Sequence, residues 1–369
     1  MVLVHAPLVS QDLGFELGRA GWKVVGVQPE DLDLGAIARL VDEHRPAAFL
    51  GINHSPELAW AVTRAGVRYH SWTVDPLPVE RLQVIDGTLP DLVSVFLHRS
   101  SQVARFEAMG FPRVEWLPLA APDHRFNADC VDPLEILPPS FVGSSLLDEL
   151  DLFQRSTMEW GWSEDLSQEV QRRLEPLVDL ALADADFPGF RPDGSDLPGN
   201  LLALAPCPPE RAAQAWNAWL SARTRRRRVC GIEAESLVVY GDGGWVDLVG
   251  ERWKGPLANG RAMTRIYAAS VANLDVPRIH QRDIATLRAF DVAAAGGCLL
   301  AEPSADLCRV LEAGREFLAY RDGAELDAHL RDLERHPDLG RTVGAQARTR
   351  ALSDHRLQQR AEKLVETLP

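Results

Sequence analysis

The sequence lacks the residue patterns that would tie it to a metal, a disulfide framework or a membrane. Its five cysteines, Cys130, Cys207, Cys230, Cys298 and Cys308, are odd in number and form no Cys-x-x-Cys pair. That pattern argues against a zinc ribbon and a disulfide scaffold, and it fits a reducing, cytoplasmic compartment. No two histidines stand four apart, no Asp-x-Asp is flanked by a strand, and ligand types do not cluster. No metal and no other cofactor are therefore expected. A Gly-x-Ser-x-Gly elbow is missing, which removes one common serine-nucleophile arrangement. No uninterrupted apolar run approaches the roughly 18 residues of a membrane span. No basic segment precedes an apolar core at the start, so no signal peptide is expected either. Lysine is scarce too: Lys23, Lys254 and Lys363 are the only ones, and nearly all positive charge is arginine. The net charge of −14 disfavours nucleic acid or an anionic membrane surface as the main partner.

What is present is a globular composition, 46% hydrophobic and 25% charged, in a chain suited to two domains of roughly 150–200 residues. The first part alternates short apolar runs with helical patterns. Strands are expected at Met1–His5, Lys23–Val27, Ala47–Ile52, Val67–Val74, Val93–Leu97 and Val114–Leu117, with helices at 13–20, 34–43 and 56–65. Such alternation indicates βαβ units on a parallel sheet. The first loop, Ala6-Pro7-Leu8-Val9-Ser10, has no Gly-x-Gly-x-x-Gly, so this Rossmann-like domain lacks the dinucleotide fingerprint. A proline-bearing stretch from Asp132-Pro133 to Pro138-Pro139 reads as the linker. The second domain opens with Ser140-Phe141-Val142-Gly143-Ser144-Ser145, continues through a mostly helical stretch at about 146–228, and returns to strand–helix alternation at Leu237–Tyr240. The boundaries read as 1–135, 136–350 and a closing helix at 351–369 able to pack back on the first domain.

Several constellations carry chemistry. The turn Tyr240-Gly241-Asp242-Gly243-Gly244-Trp245 follows a strand, and its glycines suit backbone amides aimed at a phosphate, or a plain turn. Asn273-Leu274-Asp275, His280, and Arg288 with Asp291 precede the double glycine Gly296-Gly297. Arg288 can pair with a diphosphate, and Asp291, one helical turn on, can grip a ribose; the alternative is a surface ion pair. Asp283 stands eight residues before Asp291, the spacing of paired acids in many sugar-nucleotide transferases. In the first domain, Asn53-His54-Ser55 and Trp72-Thr73-Val74-Asp75-Pro76 each follow a strand. Loops there form the ligand crevice of doubly wound sheets, so His54 and Asp75 are candidates for a general base or for loop hydrogen bonds. Of ten tryptophans, Trp72, Trp245 and Trp253 lie near these loops. The run Arg223-Thr224-Arg225-Arg226-Arg227-Arg228 reads as a solvated helix end, with a phosphate or partner patch as the alternative.

Taken in order, these motifs resemble the CgeB-like (spore maturation protein) family of GT-B glycosyltransferases over nearly the whole chain. The matching stretches are Phe141-Val142-Gly143-Ser144, Tyr240 to Trp245, Ala272-Asn273, Arg288 to Gly297 for an "R-x-F-E-x-x-A-x-G-G" pattern, and His355 with Arg360. In the first half they are Ser71 to Pro76 and Val114 to Ala120. The resemblance implies an α/β GT-B architecture: two Rossmann-like domains facing across a cleft, with a helical insertion in the second. It implies a metal-independent bacterial, cytoplasmic glycosyltransferase of hexosyltransferase type. Such an enzyme moves a sugar from a nucleotide-diphosphate sugar to a protein, glycan or small-molecule acceptor. It assigns the donor to Gly143, Gly241, Gly243, Gly244, Trp245, Asn273, Arg288, Asp291, Gly296 and Gly297. Arg252 and Lys254 are further candidates for the leaving diphosphate, Asp75 and His54 for the base, and His280 for the donor sugar. Asp291 stands where the family pattern has glutamate. Two other readings follow from the same architecture: a catalytically silent sugar-nucleotide or partner-binding module, and a sugar-nucleotide epimerase.

Overall fold

The structure, a computed structural model, describes residues 1–4, 9–75, 84–126, 135–191, 194–203, 207–234 and 236–368. His5, the loop residues Ala6-Pro7-Leu8, Pro76, Cys130 and the linker residues Asp132-Pro133 lie outside them. The chain divides into two compact units, Met1–Pro122 with Asp354–Pro369, and Asp123–Ser353.

The first unit begins β1 (Val2–Val4), α1 (Ser10–Arg19), β2 (Val25–Val27), α2 (Leu34–His44), β3 (Ala48–Ile52) and α3 (Pro56–Arg64). It continues β4 (Arg68–Thr73), β5 (Val93–Leu97), α4 (Val103–Ala108) and β6 (Val114–Trp116). The strands form one parallel sheet in the order β2-β1-β3-β4-β5-β6. β1, β3 and β5 are buried along their whole length, as parallel strands covered on both faces must be. Local chemistry sets the helix starts. Asp33 caps α2 by accepting from Ala36 N at 2.6 Å, and Ser55 caps α3 through Leu58 N at 3.1 Å, ahead of Pro56 in the first turn.

The second unit opens with β7 (Ser140–Val142), followed by α5 (Leu147–Glu159), α6 (Glu164–Ala183), α7 (Gly199–Leu202) and α8 (Pro209–Cys230). Next come β8 (Val238–Tyr240), α9 (Val246–Val249), α10 (Arg261–Ala269), β9 (Asn273–Asp275), α11 (Leu287–Ala295) and β10 (Leu299–Ala301). It closes with α12 (Leu307–Val310), β11 (Leu318–Ala319), α13 (Gly323–Arg335) and α14 (Pro337–Asp354). Its parallel sheet runs β11-β10-β9-β7-β8. α5, α6 and α8 share a separate apolar core around Phe153, Leu174, Val178, Trp216 and Trp219. This is a helical layer with its own interior. α8 is therefore buried on several sides, which explains why its sequence shows no clean apolar stripe.

The last helix, α15 (Leu357–Val365), belongs to the first unit. Arg360, 7% exposed, donates to the carbonyls of Pro118 and Leu119 and to His355 Nδ1. The His355/Arg360 pair thus clasps the chain end to the loop after β6. Burial pushes the Arg360 pKa down to about 10.

Three histidines line the first sheet, and all are sealed from water: His54, His70 and His98 are 6%, 1% and 2% exposed. Burial lowers His54 to about 4, Glu57 pulling weakly the other way, and lowers His98 to about 3 with help from Arg99. His70 is lowered for the same first reason. A folded-state pKa below the unfolded value means that the unfolded chain takes up more protons on acidification. Stability should therefore hold above pH 6.5 and fall as pH drops toward 4, with His54 alone accounting for on the order of 3 kcal/mol. Urea titrations across that window should show the slope, and His54→Gln should flatten it. An unchanged slope in the variant would contradict the assignment.

Candidate functional site

In the second sheet, β7 is followed by β8 on one side and by β9 on the other. The crossovers leave in opposite directions there, and the loops at the carboxyl ends of β7 and β9 bound the crevice of a doubly wound sheet. Four charged side chains converge on it. Asp275, the last residue of β9, pairs with Arg288 from the first turn of α11. Its other oxygen accepts from Thr286 Oγ1 at 2.6 Å. Thr286 is also the N-cap of α11, so one short network ties the strand exit to the helix start. Arg288 lies over the Phe141 ring, 5.5 Å from its centroid. Burial acts against its charge, but Asp275 and the hydrogen-bonded Tyr267 phenol more than compensate, and its pKa is raised.

Arg225 enters the same place from α8. It is 4% exposed and donates to the carbonyls of Val276 at 2.9 Å and Ser144 at 3.3 Å. Burial first, then the neighbouring Arg288 and Arg278, push its pKa down to about 9. Arg278 pairs with Glu149 at 2.8 Å, and Arg226 donates to the Ser145 carbonyl at 2.8 Å. The crevice therefore holds more guanidinium than carboxylate, with Arg225 bonded to carbonyl oxygens. Such a site favours an anion with several oxygens.

The arginine run is thus not a solvated helix end. At 100° per residue the helix sends its members in different directions. Arg223 and Arg227 turn outward to Glu175 and Asp179 of α6. Arg225 and Arg228 turn inward, and Arg228 meets buried Glu302 at 3.1 Å.

The glycine turn after β8 packs onto the loop after β7. Asp242 accepts from Ser145 N at 2.8 Å, Ser145 Oγ at 2.6 Å and Gly244 N at 2.9 Å. Trp245, fully buried, donates to the Gly143 carbonyl at 2.8 Å, and Trp253 to that of Gly241 at 3.1 Å. A Cβ on Gly241 would strike the Gly143 carbonyl, and one on Gly244 would strike Ser145 Oγ. A Cβ on Gly143 would come within 2.9 Å of Arg288 Nη2. Gly143, Gly241, Gly244, Trp245 and Arg288 are therefore brought together, along with Gly243 in the same turn. His280 sits in the turn after β9, half-buried and two residues from Arg278. Asp291, half-buried on α11, acts with Arg288 on Tyr267.

Other candidates stand elsewhere. Asn273 opens β9, and its side chain is spent on the interior: it accepts from Ser140 Oγ and donates to the Tyr267 and Cys298 carbonyls. Gly296, with φ +82°, ends α11 in the left-handed region. A Cβ on Gly297 would collide with the Tyr267 carbonyl, and one on Gly344 of α14 with the Gly296 carbonyl. Gly296 and Gly297 precede β10, at the amino end of the sheet, opposite the arginine crevice. Their close approach is to protein backbone. Lys254 is exposed and donates to the Glu251 carbonyl, and Arg252 lies by Cys230. In the first unit, His54 is enclosed by Tyr69, Phe106 and Phe111 and bonded to Ser71 Oγ at 3.0 Å. Asp75 is half-buried and accepts from Asn53 Nδ2 at 2.9 Å.

Residues 211–366 match the model of a glycosyl transferase-like family. No curated protein matches the chain. Among solved structures it is similar to a sucrose-phosphate synthase from Thermosynechococcus elongatus, with 10% identity and a TM-score of 0.59 over 99% of this chain and 97% of that one. A glycosyltransferase from Rickettsia africae has 10% identity and a TM-score of 0.54, over 99% and 98%. HepE of Anabaena, solved with UDP and glucose, has 11% identity and a TM-score of 0.52, also over 99% and 98%. The shared feature is the fold, an α/β GT-B arrangement of two parallel sheets with flanking helices. Arg225, Tyr267, Asp275 and Arg278 complete the crevice although site reasoning from the sequence had not selected them. In the sequence Asp275 is marked only by its neighbour Asn273, and Arg225 only by the arginine run it belongs to.

The packing role of the double glycine makes a checkable statement. Gly297→Ala should destabilise the chain by about 1–3 kcal/mol through overpacking against Tyr267. A thermal melt should show the same loss with and without nucleotide. A loss confined to the nucleotide-bound protein would instead mark Gly297 as a ligand contact.

Proposed function

We propose that the chain is a glycosyltransferase that moves a sugar from a nucleotide-diphosphate sugar to an acceptor hydroxyl. One observation carries this reading. Arg225, Arg278 and Arg288 gather at the exits of β7 and β9, inside the stretch that matches the glycosyl transferase-like family. In the transfer, the acceptor oxygen attacks the anomeric carbon while the bond from that carbon to the diphosphate oxygen breaks. The departing diphosphate gathers negative charge, and preorganised guanidinium groups stabilise it. Charge neutralisation is thereby assigned to arginine rather than to a metal ion. The helix N-terminus of α11 adds its dipole in the same place. Uridine diphosphate sugars are the first donors to test, since HepE was solved with UDP and glucose. Within the family we place the chain with the CgeB-like transferases, on the order of its motifs.

Asp75 is the better candidate base. His54 is held neutral by burial and is enclosed by three rings, so it is not placed to exchange a proton with a diffusing acceptor. Asp75 is half-buried and oriented by Asn53. His280, beside Arg278, is the candidate contact for the donor sugar. Asp291 is assigned to the ribose hydroxyls.

Arg288→Gln should weaken UDP binding by about 10- to 100-fold, the worth of a charged hydrogen bond, and uridine binding far less. Calorimetric titration of both ligands tests this, and equal losses would contradict a phosphate role. Donor consumption should be seen with at least one of the UDP-, GDP-, ADP-, CDP- and TDP-sugars. Nucleotide binding with no turnover in any acceptor mixture would replace the transferase with a binding module.

A further inference from the structure

The first sheet repeats the topology of the second, and its crevice has a different chemistry. β1 is followed by β2 on one side and β3 on the other, so its switch point lies at the carboxyl ends of β1 and β3. A cavity of about 670 Å³ opens there, lined by Val4 from the end of β1 and by Gly51, Ile52 and Asn53 from the end of β3. Its volume falls in the roughly 300–1,000 Å³ range of small-molecule sites. Leu34, Ile37, Leu58, Trp60 and Ile85 make the walls apolar. Among the described lining residues the charged groups are Asp33 and Glu57, and no cation joins them.

The polar atoms collect on the β3 side. Tyr69 is buried, and its hydroxyl accepts from Ser55 N at 3.3 Å. Asn53 has φ 65°, a left-handed conformation rare outside glycine. It is held by a bond from its own N–H to the Trp72 carbonyl and by its side chain. The side-chain oxygen accepts from Val74 N and Asp75 N, and the amide donates to Asp75 Oδ2. These bonds fix Asn53 at the strand exit and leave the Asp75 carboxylate one hydrogen bond from the cavity lining.

We propose that this cavity binds a neutral or basic small molecule with an apolar ring body and a hydroxyl or amine at one end. The ring lies against Trp60 and the aliphatic walls, and the polar end points to Asn53. Among the described lining residues the two carboxylates, both exposed at the rim, have no cation beside them and repel an acidic ligand through space. That this molecule is the sugar acceptor rests on the transferase reading above; that it binds does not.

The test is calorimetry on the full chain with naphthylmethanol, naphthylmethylamine and naphthoate, three probes that share one ring body. The alcohol and amine should bind, and naphthoate should be at least about tenfold weaker. Ala61→Trp, which fills the cavity from α3, should abolish binding, and so should Ile85→Arg at its half-buried edge. Both variants should keep the parent chain's circular-dichroism spectrum and a cooperative thermal melt, which establishes that they fold. Failure of the alcohol and amine to bind, equal affinity for naphthoate, or full affinity in both folded variants would overturn the proposal. Probe binding without sugar transfer from any donor would remove the transferase reading and leave the cavity assignment standing. Sugar transfer without probe binding would do the reverse.

Discussion

In the second unit the Arg288–Asp275 pair is the polar contact on which the crevice depends. It joins the end of β9 to the start of α11, and Thr286 closes the loop by capping the helix and bonding the same carboxylate. Asp275 is 5% exposed and Arg288 18%. A pair so placed loses much of its hydration, and its mutual attraction repays that loss only where geometry and further hydrogen bonds are good. Here Tyr267 supplies one such bond and the Phe141 ring faces the guanidinium. The pair also positions what surrounds it. The Tyr320 hydroxyl donates to the Asp275 carbonyl at 2.9 Å, which anchors the residue after β11 to the end of β9.

The same topology thus serves two chemistries in one chain. Counted from its own first strand, each sheet begins with the 2-1-3-4-5 order of doubly wound folds, the first adding a sixth strand, and both place their distinctive residues at the switch point. In the second unit those residues are arginines from a strand loop, a crossover helix and the inserted helical layer. In the first they are aliphatic and aromatic groups with two carboxylates. Fold fixes where a ligand can lie; side chains decide its charge.

The fold was largely legible because buried parallel strands are nearly continuous apolar runs. Val93–Leu97 is read to the residue, and Ala47–Ile52 is only one residue too long, because each is buried on both faces and bounded by turn chemistry. Pro56 after Ser55, and Gly296 at the end of α11, mark helix ends by mechanisms that act within a few residues. The site was legible in part for the opposite reason. Asn273 and Gly297 look like ligand contacts in one dimension, since a polar side chain and a bare backbone suit a ligand. In three dimensions they face Tyr267, six residues before one and thirty before the other. The arginine run showed its charge but not its directions, which only the helix period and the packing of α8 decide. The cavity at β1 and β3 was signalled only by the Asn53-His54-Ser55 loop after its strand, since the rest of its walls come from several separate elements.

Arg225 shows why the inserted helices are more than an addition to the sheet. A guanidinium 4% exposed, bonded to carbonyls and set between two other arginines, is an unfavourable element in a free protein. Lost hydration first, then the like charges of Arg288 and Arg278, act against its proton and lower its pKa. The surrounding core can hold it only because α8 is fixed by Trp216, Trp219 and Leu220 against α5 and α6. An anion in the crevice would reverse the sign of its surroundings, and the energy forgone in folding would return as affinity. The helical layer therefore adds a third guanidinium to those that the β9 loop and α11 already bring there.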